Sequence, residues 1–228
     1  MTRMRVRALA VLILVGTVAG GCGGGAKSNG EASKSAEQIL ADAKQAATSA
    51  SAVHYHGSIV NEGSHLTIDL TVDAGRGGTG TMSMQNLSFD LVRIGDKAYI
   101  RGSDAFYRKF AGAAAAQLLH GRWLEFPAER GQLAVLTQLT DIGKFFALFQ
   151  GKSGVVKGAE TTVDGQKAIA VRSKETGGTM YVATTGKPYP IEVVGGRSSP
   201  GTITFDGWGK TVALSAPKGA IDISKLGG

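Results

Sequence analysis

Leu66, Ile68, Leu70 and Val72 alternate with Thr67, Asp69, Thr71 and Asp73. Successive side chains of a strand point to opposite faces, so this stretch must be a strand with one apolar and one wet face. A strand buried on both faces would read as an unbroken apolar run. The pattern therefore calls for an antiparallel sheet that is covered on one side only, with Asp69 and Asp73 as solubilising charges on the other.

The neighbouring stretches repeat the theme. Val53–Val60 is β-branched and aromatic, and Met82 and Met84 alternate with Thr81, Ser83 and Gln85. Leu87, Phe89 and Leu91 alternate with Ser88 and Asp90, and Gly95-Asp96 turns the chain into Lys97–Arg101. A strand about every ten residues, punctuated by glycine, reads as an antiparallel meander. After residue 154 the theme returns. Gly154–Val163 leads to Asp164-Gly165, which marks a hairpin, and Ala168–Ser173, Thr179–Ala183, Ile191–Val194, Thr202–Gly209 and Val212–Leu214 supply further strand segments.

Three stretches have helical spacing. Ser35-Ala36-Glu37-Gln38 is a capping box, and Ile39, Leu40, Ala43, Ala46, Ala47 and Ala50 follow at threes and fours. The alanine-rich segment between Asp104 and His120 reads as a short helix, followed by a brief strand, Gly121–Pro127. Val135, Leu139, Ile142, Phe146 and Phe149 then predict a second amphipathic helix, widened by Leu136, Phe145 and Leu148.

The N-terminus reads differently. Arg3, Arg5 and Arg7 precede an apolar run from Ala8 to Val15, and Ala19-Gly20-Gly21 leads to Cys22. This is the plan of a secretory signal, and the run is too short for a transmembrane helix, which needs roughly 20 residues. The four residues ending at Cys22 resemble a bacterial lipobox, with Ala19 where leucine is commonest. That resemblance implies that residues 1–21 are a lipoprotein signal peptide and that Cys22 is acylated. Cys22 is the only cysteine, so it has no disulfide partner in the chain. Two or three buried acyl chains, at about 0.8 kcal/mol per CH2, would anchor it stably. Residues 22–34, rich in Gly, Ser, Asn and Lys, read as a flexible tether reaching on the order of 20 Å. Residues 35–228 form the folded domain. The expected location is the outer face of the cell membrane.

Much chemistry is missing from the sequence. Net charge is +7, and three of the arginines belong to the signal segment, so the remainder is only mildly basic and gives no reason to invoke nucleic acid. Gly75-Arg76-Gly77-Gly78-Thr79-Gly80 matches G-x-G-x-x-G but lies between strands and opens no helix, so it reads as a turn. Gly151-Lys152-Ser153 lacks the first P-loop glycine, having Phe146 there. His54 and His56 share a strand face, with His65 nearby, but no third metal ligand is identifiable. No G-x-S-x-G elbow occurs. Arg101, Arg108, Lys109 and Arg122 read as a solvated basic face, with headgroup binding at a cavity mouth as the other reading. The chain is read as having no catalytic residues, no cofactor and no metal.

Several short stretches carry a family likeness. Ser49–Gly57, Lys97–Arg101, Arg122–Phe126, Gly186–Glu192 and Ile203–Gly209 keep the order seen in the mycobacterial LppX/LprG/LprA/LprF-type lipoproteins. Those are similar in fold to the Lol lipoprotein carriers of Gram-negative bacteria. The resemblance spans residues 35 to 223. It implies an α+β fold, with a single strongly curved antiparallel sheet, a U-shaped half-barrel, wrapped around a few helices. It also implies an apolar cavity that takes the acyl chains of envelope lipids or lipoglycans, with no reaction.

The residues suit that implication. About ten strands with one apolar face make a larger trough than three helices, each roughly 20 Å long, would cover, and an uncovered apolar patch of several hundred Å2 is a liability. Acyl chains would fill the gap. The expected lining is Leu66, Ile68, Leu70, Val72, Met82, Met84, Phe89 and Leu91 from strands, and Val135, Leu139, Ile142, Phe146 and Phe149 from the second amphipathic helix. Met180 joins them as an adaptable thioether. The expected partners are an acylated envelope lipid or lipoglycan, the membrane through Cys22, and an envelope transporter or acceptor protein. The alternative is a sensor or adaptor lipoprotein whose groove takes a protein partner.

Overall fold

The computed structural model describes residues 27–61, 63–130, 133–147 and 154–224. Cys22 with the signal segment, Phe149, and the side chain of Val135 lie outside the described residues.

The alternating stretch forms β2 (Ser64–Asp73), with Ile68, Leu70 and Val72 buried and Thr67 and Asp69 exposed. It pairs antiparallel with β1 (Ala52–Asn61) on one side and β3 (Gly77–Met84) on the other. The meander continues through β4 (Leu87–Ile94), β5 (Lys97–Gly102) and β6 (Leu124–Pro127). A second meander comprises β7 (Val155–Val163), β8 (Gln166–Ser173), β9 (Thr179–Ala183), β10 (Pro190–Val194) and β11 (Gly201–Asp206). It joins the first through an antiparallel β1–β11 pairing. A short β12 (Ile221–Asp222) adds in parallel to β6.

The result is one twelve-stranded sheet, ordered β12-β6-β5-β4-β3-β2-β1-β11-β10-β9-β8-β7. Its two end strands do not meet, so the curved sheet stays an open half-barrel. The sequence predicts about ten strands; β12 is additional, and Val212–Leu214 forms none. The glycines of Gly75–Gly80 serve a hairpin and close strand packing. A Cβ at Gly77 would lie 2.1 Å from the Arg93 carbonyl oxygen, and one at Gly80 would lie 2.0 Å from that of Asp69.

Helix α1 (Ala36–Thr48) begins at the expected capping box, in which Ser35 and Gln38 each accept the other's backbone N–H. Ile39, Ala43 and Ala47 are fully buried on its inner face, which packs on β7 to β10. Helix α2 (Asp104–Leu119) packs on β4 and β5 and kinks at Gly112 (φ 87°, ψ 167°).

The second amphipathic helix is not continuous. It divides into α3 (Ala134–Thr137), a 3-10 turn (Gln138–Thr140) and α4 (Ile142–Ala147). The apolar spacing runs through the break, but the polar residues between disrupt the ladder. Thr137 donates its hydroxyl to the Ala128 and Ala134 carbonyls, and Thr140 donates to Thr137 O. Asp141 is extended (φ −120°, ψ 114°), and its carboxylate accepts the Lys144 N–H at 2.9 Å. Short polar side chains thus compete with the helical hydrogen bonds.

Two further expectations are corrected. Asp73 is buried rather than solvated, because Arg76 folds back across the turn and pairs with it at 2.9 Å. The segment from Ser28 to Lys34 is docked, not a free tether. Ser28 bridges Thr185, Asn29 N–H donates to Thr184 O, and the Asn29 amide donates to the carbonyls of Ala183 and Gly186. Glu31 is buried and takes a 2.7 Å hydrogen bond from Lys34, which reaches Asp42 at the same distance.

Candidate functional site

Where the hairpin ends of the two meanders approach the helices, the core opens into a cavity of about 640 Å3. Leu40 of α1, and Leu139 and Phe145 from the broken helix, form one wall. Ile59, Leu66 and Ile68 of β1 and β2 meet Val155, Val171, Met180, Val193 and Ile203 of the second meander to form the other. The side chains of these two walls are hydrocarbon, apart from the Met180 thioether.

The polar side chains of the lining gather toward the rim: Ser173, Glu175, Thr176, Ser198 and Ser199, with Thr179 at the first position of β9. Two loops make this rim, the β8–β9 turn and the β10–β11 loop. They cross at Gly196, where a Cβ would lie 1.9 Å from the Thr176 carbonyl oxygen. A larger residue there would push the loops apart.

Of the residues expected to line a cavity, Leu66, Ile68, Leu139 and Met180 do so. Leu70, Leu91 and Phe146 belong to the solid core. Phe146 packs against Phe205, centroids 5.1 Å apart. Val72 and Ile142 are also buried and border a separate, more polar cleft with Arg76, Arg93 and Asp141. Phe89 lies under Phe106 of α2, 5.3 Å between centroids, and Met82 is buried beside it in the sheet. Met84 is 43% exposed and lies outside the cavity. The second meander supplies half of the wall. Apart from Met180, its contribution was readable only as the strand segments Ala168–Ser173 and Ile191–Val194, with no hint that these strands face β1 and β2.

The basic residues do not gather at this mouth. Arg101 pairs with Asp90 at 2.7 Å and lies 4.9 Å over the Trp123 ring, and neither Arg108, Lys109 nor Arg122 borders the cavity. Asp69, expected to be a free solubilising charge, instead faces His54 on the outer side of the sheet, 3.0 Å from Nε2. Asp206 lies 2.9 Å from His54 Nδ1. Partial burial opposes charge on His54, but the hydrogen bonds and charges of the two carboxylates outweigh it and raise its pKa. No helix among the described residues is long and apolar enough to cross a membrane.

An open, curved, mainly antiparallel sheet with helices against its inner face and an apolar cavity beneath them defines the half-barrel class of α+β folds. Within that class the chain has the fold of the mycobacterial lipoproteins LprF and LppX. It is similar to LprF from Mycobacterium bovis, with 16% identity over 81% of this chain and 97% of that one, and a TM-score of 0.53. It is similar to the Mycobacterium tuberculosis lipoprotein LppX, with 13% identity over 78% of this chain and 99% of that one, and a TM-score of 0.50. No protein-family model matches the sequence, and no curated protein matches it.

Proposed function

We propose that this chain is an envelope lipoprotein that holds the acyl chains of a membrane lipid or lipoglycan in its cavity and carries them, without catalysis. The observation that carries the reading is the cavity: about 640 Å3 of hydrocarbon-walled space, within the range of about 300–1,000 Å3 typical of ligand sites. Keeping such a wall wet costs about 25 cal/mol per Å2 relative to covering it with apolar atoms. The chain's own side chains leave it uncovered. The hydroxyls of Ser173, Thr176, Ser198 and Ser199 suit a polar headgroup or glycerol backbone, held at the rim while the tails enter.

The proposed anchor is acylated Cys22, which would place the domain on the outer face of the cell membrane and near its cargo. An envelope transporter or acceptor protein would supply or receive the lipid.

Native mass spectrometry and organic extraction of the protein carrying Cys22→Ala test the carrier reading directly. A bound acyl lipid, or saturable uptake of a fluorescent fatty-acyl probe, is the expected result. A homogeneous lipid-free protein that ignores such probes would overturn it.

A further inference from the structure

The outer face of the sheet holds a second constellation that the cavity does not use. His54 and His56 lie two apart on β1, on the face opposite the buried Tyr55. In register, His54 opposes Asp206 of β11, and His56 opposes Asp69 of β2. Four side chains from three adjacent strands therefore share one patch, fixed by backbone pairing. Asp206 Oδ1 lies 2.9 Å from His54 Nδ1, and Asp206 Oδ2 lies 3.7 Å from His56 Nε2. Asp69 Oδ1 lies 3.0 Å from His54 Nε2. The two imidazoles stack with centroids 5.0 Å apart. Among the described residues this is the one place where three such donor groups converge, their ligand atoms all within 4.8 Å of one another.

We propose that His54 Nδ1, His56 Nε2 and the Asp206 carboxylate bind a divalent ion of the zinc class, with Asp69 orienting the His54 ring. The arrangement of protons argues for it. When His54 donates Nε2–H to Asp69, its Nδ1 lone pair faces an Asp206 carboxylate oxygen. Two acceptors at 2.9 Å need a positive centre between them, either a proton or a metal. His56 Nε2 lies 3.7 Å from the other oxygen of the same carboxylate, beyond hydrogen-bond reach, so a second nitrogen donor stands beside the same group. Ligands held at about 2.0–2.2 Å in a tetrahedron lie roughly 3.3–3.5 Å apart. The observed 2.9 and 3.7 Å, to the two oxygens of Asp206, bracket that spacing, and the rings must turn out of their stack to aim both nitrogen lone pairs at one ion. A carboxylate on the far nitrogen of a ligating histidine is the recurrent outer-shell partner in zinc sites. Three protein ligands leave one position for water or an exogenous donor, and the N,N,O set suits zinc over magnesium or calcium. The ion would bridge β1 to β11, the pairing through which the two meanders meet.

Isothermal titration tests this with the tag-free full chain carrying Cys22→Ala, so that no thiol competes. The metal-stripped protein is titrated with ZnCl2, with MgCl2 as control. One zinc per chain is expected, with no magnesium binding. His56→Ala and Asp206→Asn should each weaken zinc binding at least about tenfold, and Asp69→Asn by about 10–100-fold with stoichiometry unchanged. His65→Ala, which alters a histidine outside the cluster, should leave binding unchanged. Absence of saturable zinc binding would overturn the proposal, as would wild-type affinity in both His56→Ala and Asp206→Asn. Should Asp206→Asn misfold, His56→Ala decides the question, because the His56 ring makes only the 3.7 Å approach and the stack.

Discussion

The Tyr55 ring lies nearly parallel to that of Phe145, centroids 4.1 Å apart, and the Tyr55 hydroxyl is buried with no hydrogen-bond partner among the described residues. Burial, with a smaller contribution from the Asp141 charge, pushes its pKa up, so the phenol stays neutral. A buried, unpaired hydroxyl costs about 1–3 kcal/mol. Tyr55→Phe keeps the stack and removes that cost. It should raise stability by about 1 kcal/mol, or roughly 2–4 °C in Tm for a domain of this size. Thermal denaturation of the two proteins checks it, and a lower Tm for the variant would reveal a partner for the hydroxyl.

Leu66 and Leu139 line the cavity without being fully buried. Leu66→Trp and Leu139→Trp should occupy the space that an acyl tail would take. Fluorescent acyl-probe affinity should fall at least about tenfold, equivalent to 1.4 kcal/mol, while the fold persists. Leu70→Trp is the contrast. Leu70 is fully buried in the solid core, where overpacking costs about 1–3 kcal/mol, so stability falls instead.

Gly196→Ala should loosen the rim. The new Cβ would lie 1.9 Å from the Thr176 carbonyl oxygen, a backbone atom, so one of the two loops must move. A loss of about 1–3 kcal/mol is expected, with faster amide exchange confined to residues 174–178 and 195–200. Exchange rates equal to wild type would show that the loops do not depend on that crossing.

Lys34 links the N-terminal segment to α1 through Asp42 and Glu31. Its pKa is raised above the usual 10.5, first by the hydrogen bond to Asp42 and then by that to Glu31. A raised lysine pKa stabilises the fold fully below the unfolded value and ceases to do so as pH climbs through the folded value. Lys34→Met should therefore lower Tm by a constant amount at neutral and mildly alkaline pH. The gap from wild type should close only above about pH 10.5. A gap independent of pH throughout would mean that packing, not charge, carries the effect.

Cys22→Ala should move the protein from the membrane fraction to the soluble fraction on cell fractionation. Retention in the membrane fraction would mean that something other than acylation holds it there.

How much of this was legible in the sequence depends on the range of each interaction. Ser35 and Gln38 cap a helix within four residues, and Leu66 to Val72 choose their face by pleat alone, so both are readable locally. The break at Asp141 was hidden because Leu139, Ile142 and Phe146 keep helical spacing across it; the signal lay in Thr137, Thr140 and Asp141, whose side chains compete for backbone hydrogen bonds. Met180 and Val193 could be recognised as apolar strand residues, but not as facing Ile59 and Leu66. That depends on β11 folding back onto β1, about 150 residues away. The same return brings Asp206 to His54, which is why a third donor near the histidines was invisible in the linear order. The docking of Asn29 was masked by composition, since the glycine and serine around it resemble a linker.

That docking has a geometric outcome. Ser28 is fastened beside Thr185, at the far end of β9 from the cavity rim. The five residues of β9 separate the two by about 17 Å. The chain between Cys22 and Ser28 extends at most about 20 Å. Were Cys22 held in lipid as proposed, so short a line would keep the Thr185 end of the sheet toward the membrane. The cavity rim would then point outward, into the space where a hand-over to another envelope component would take place.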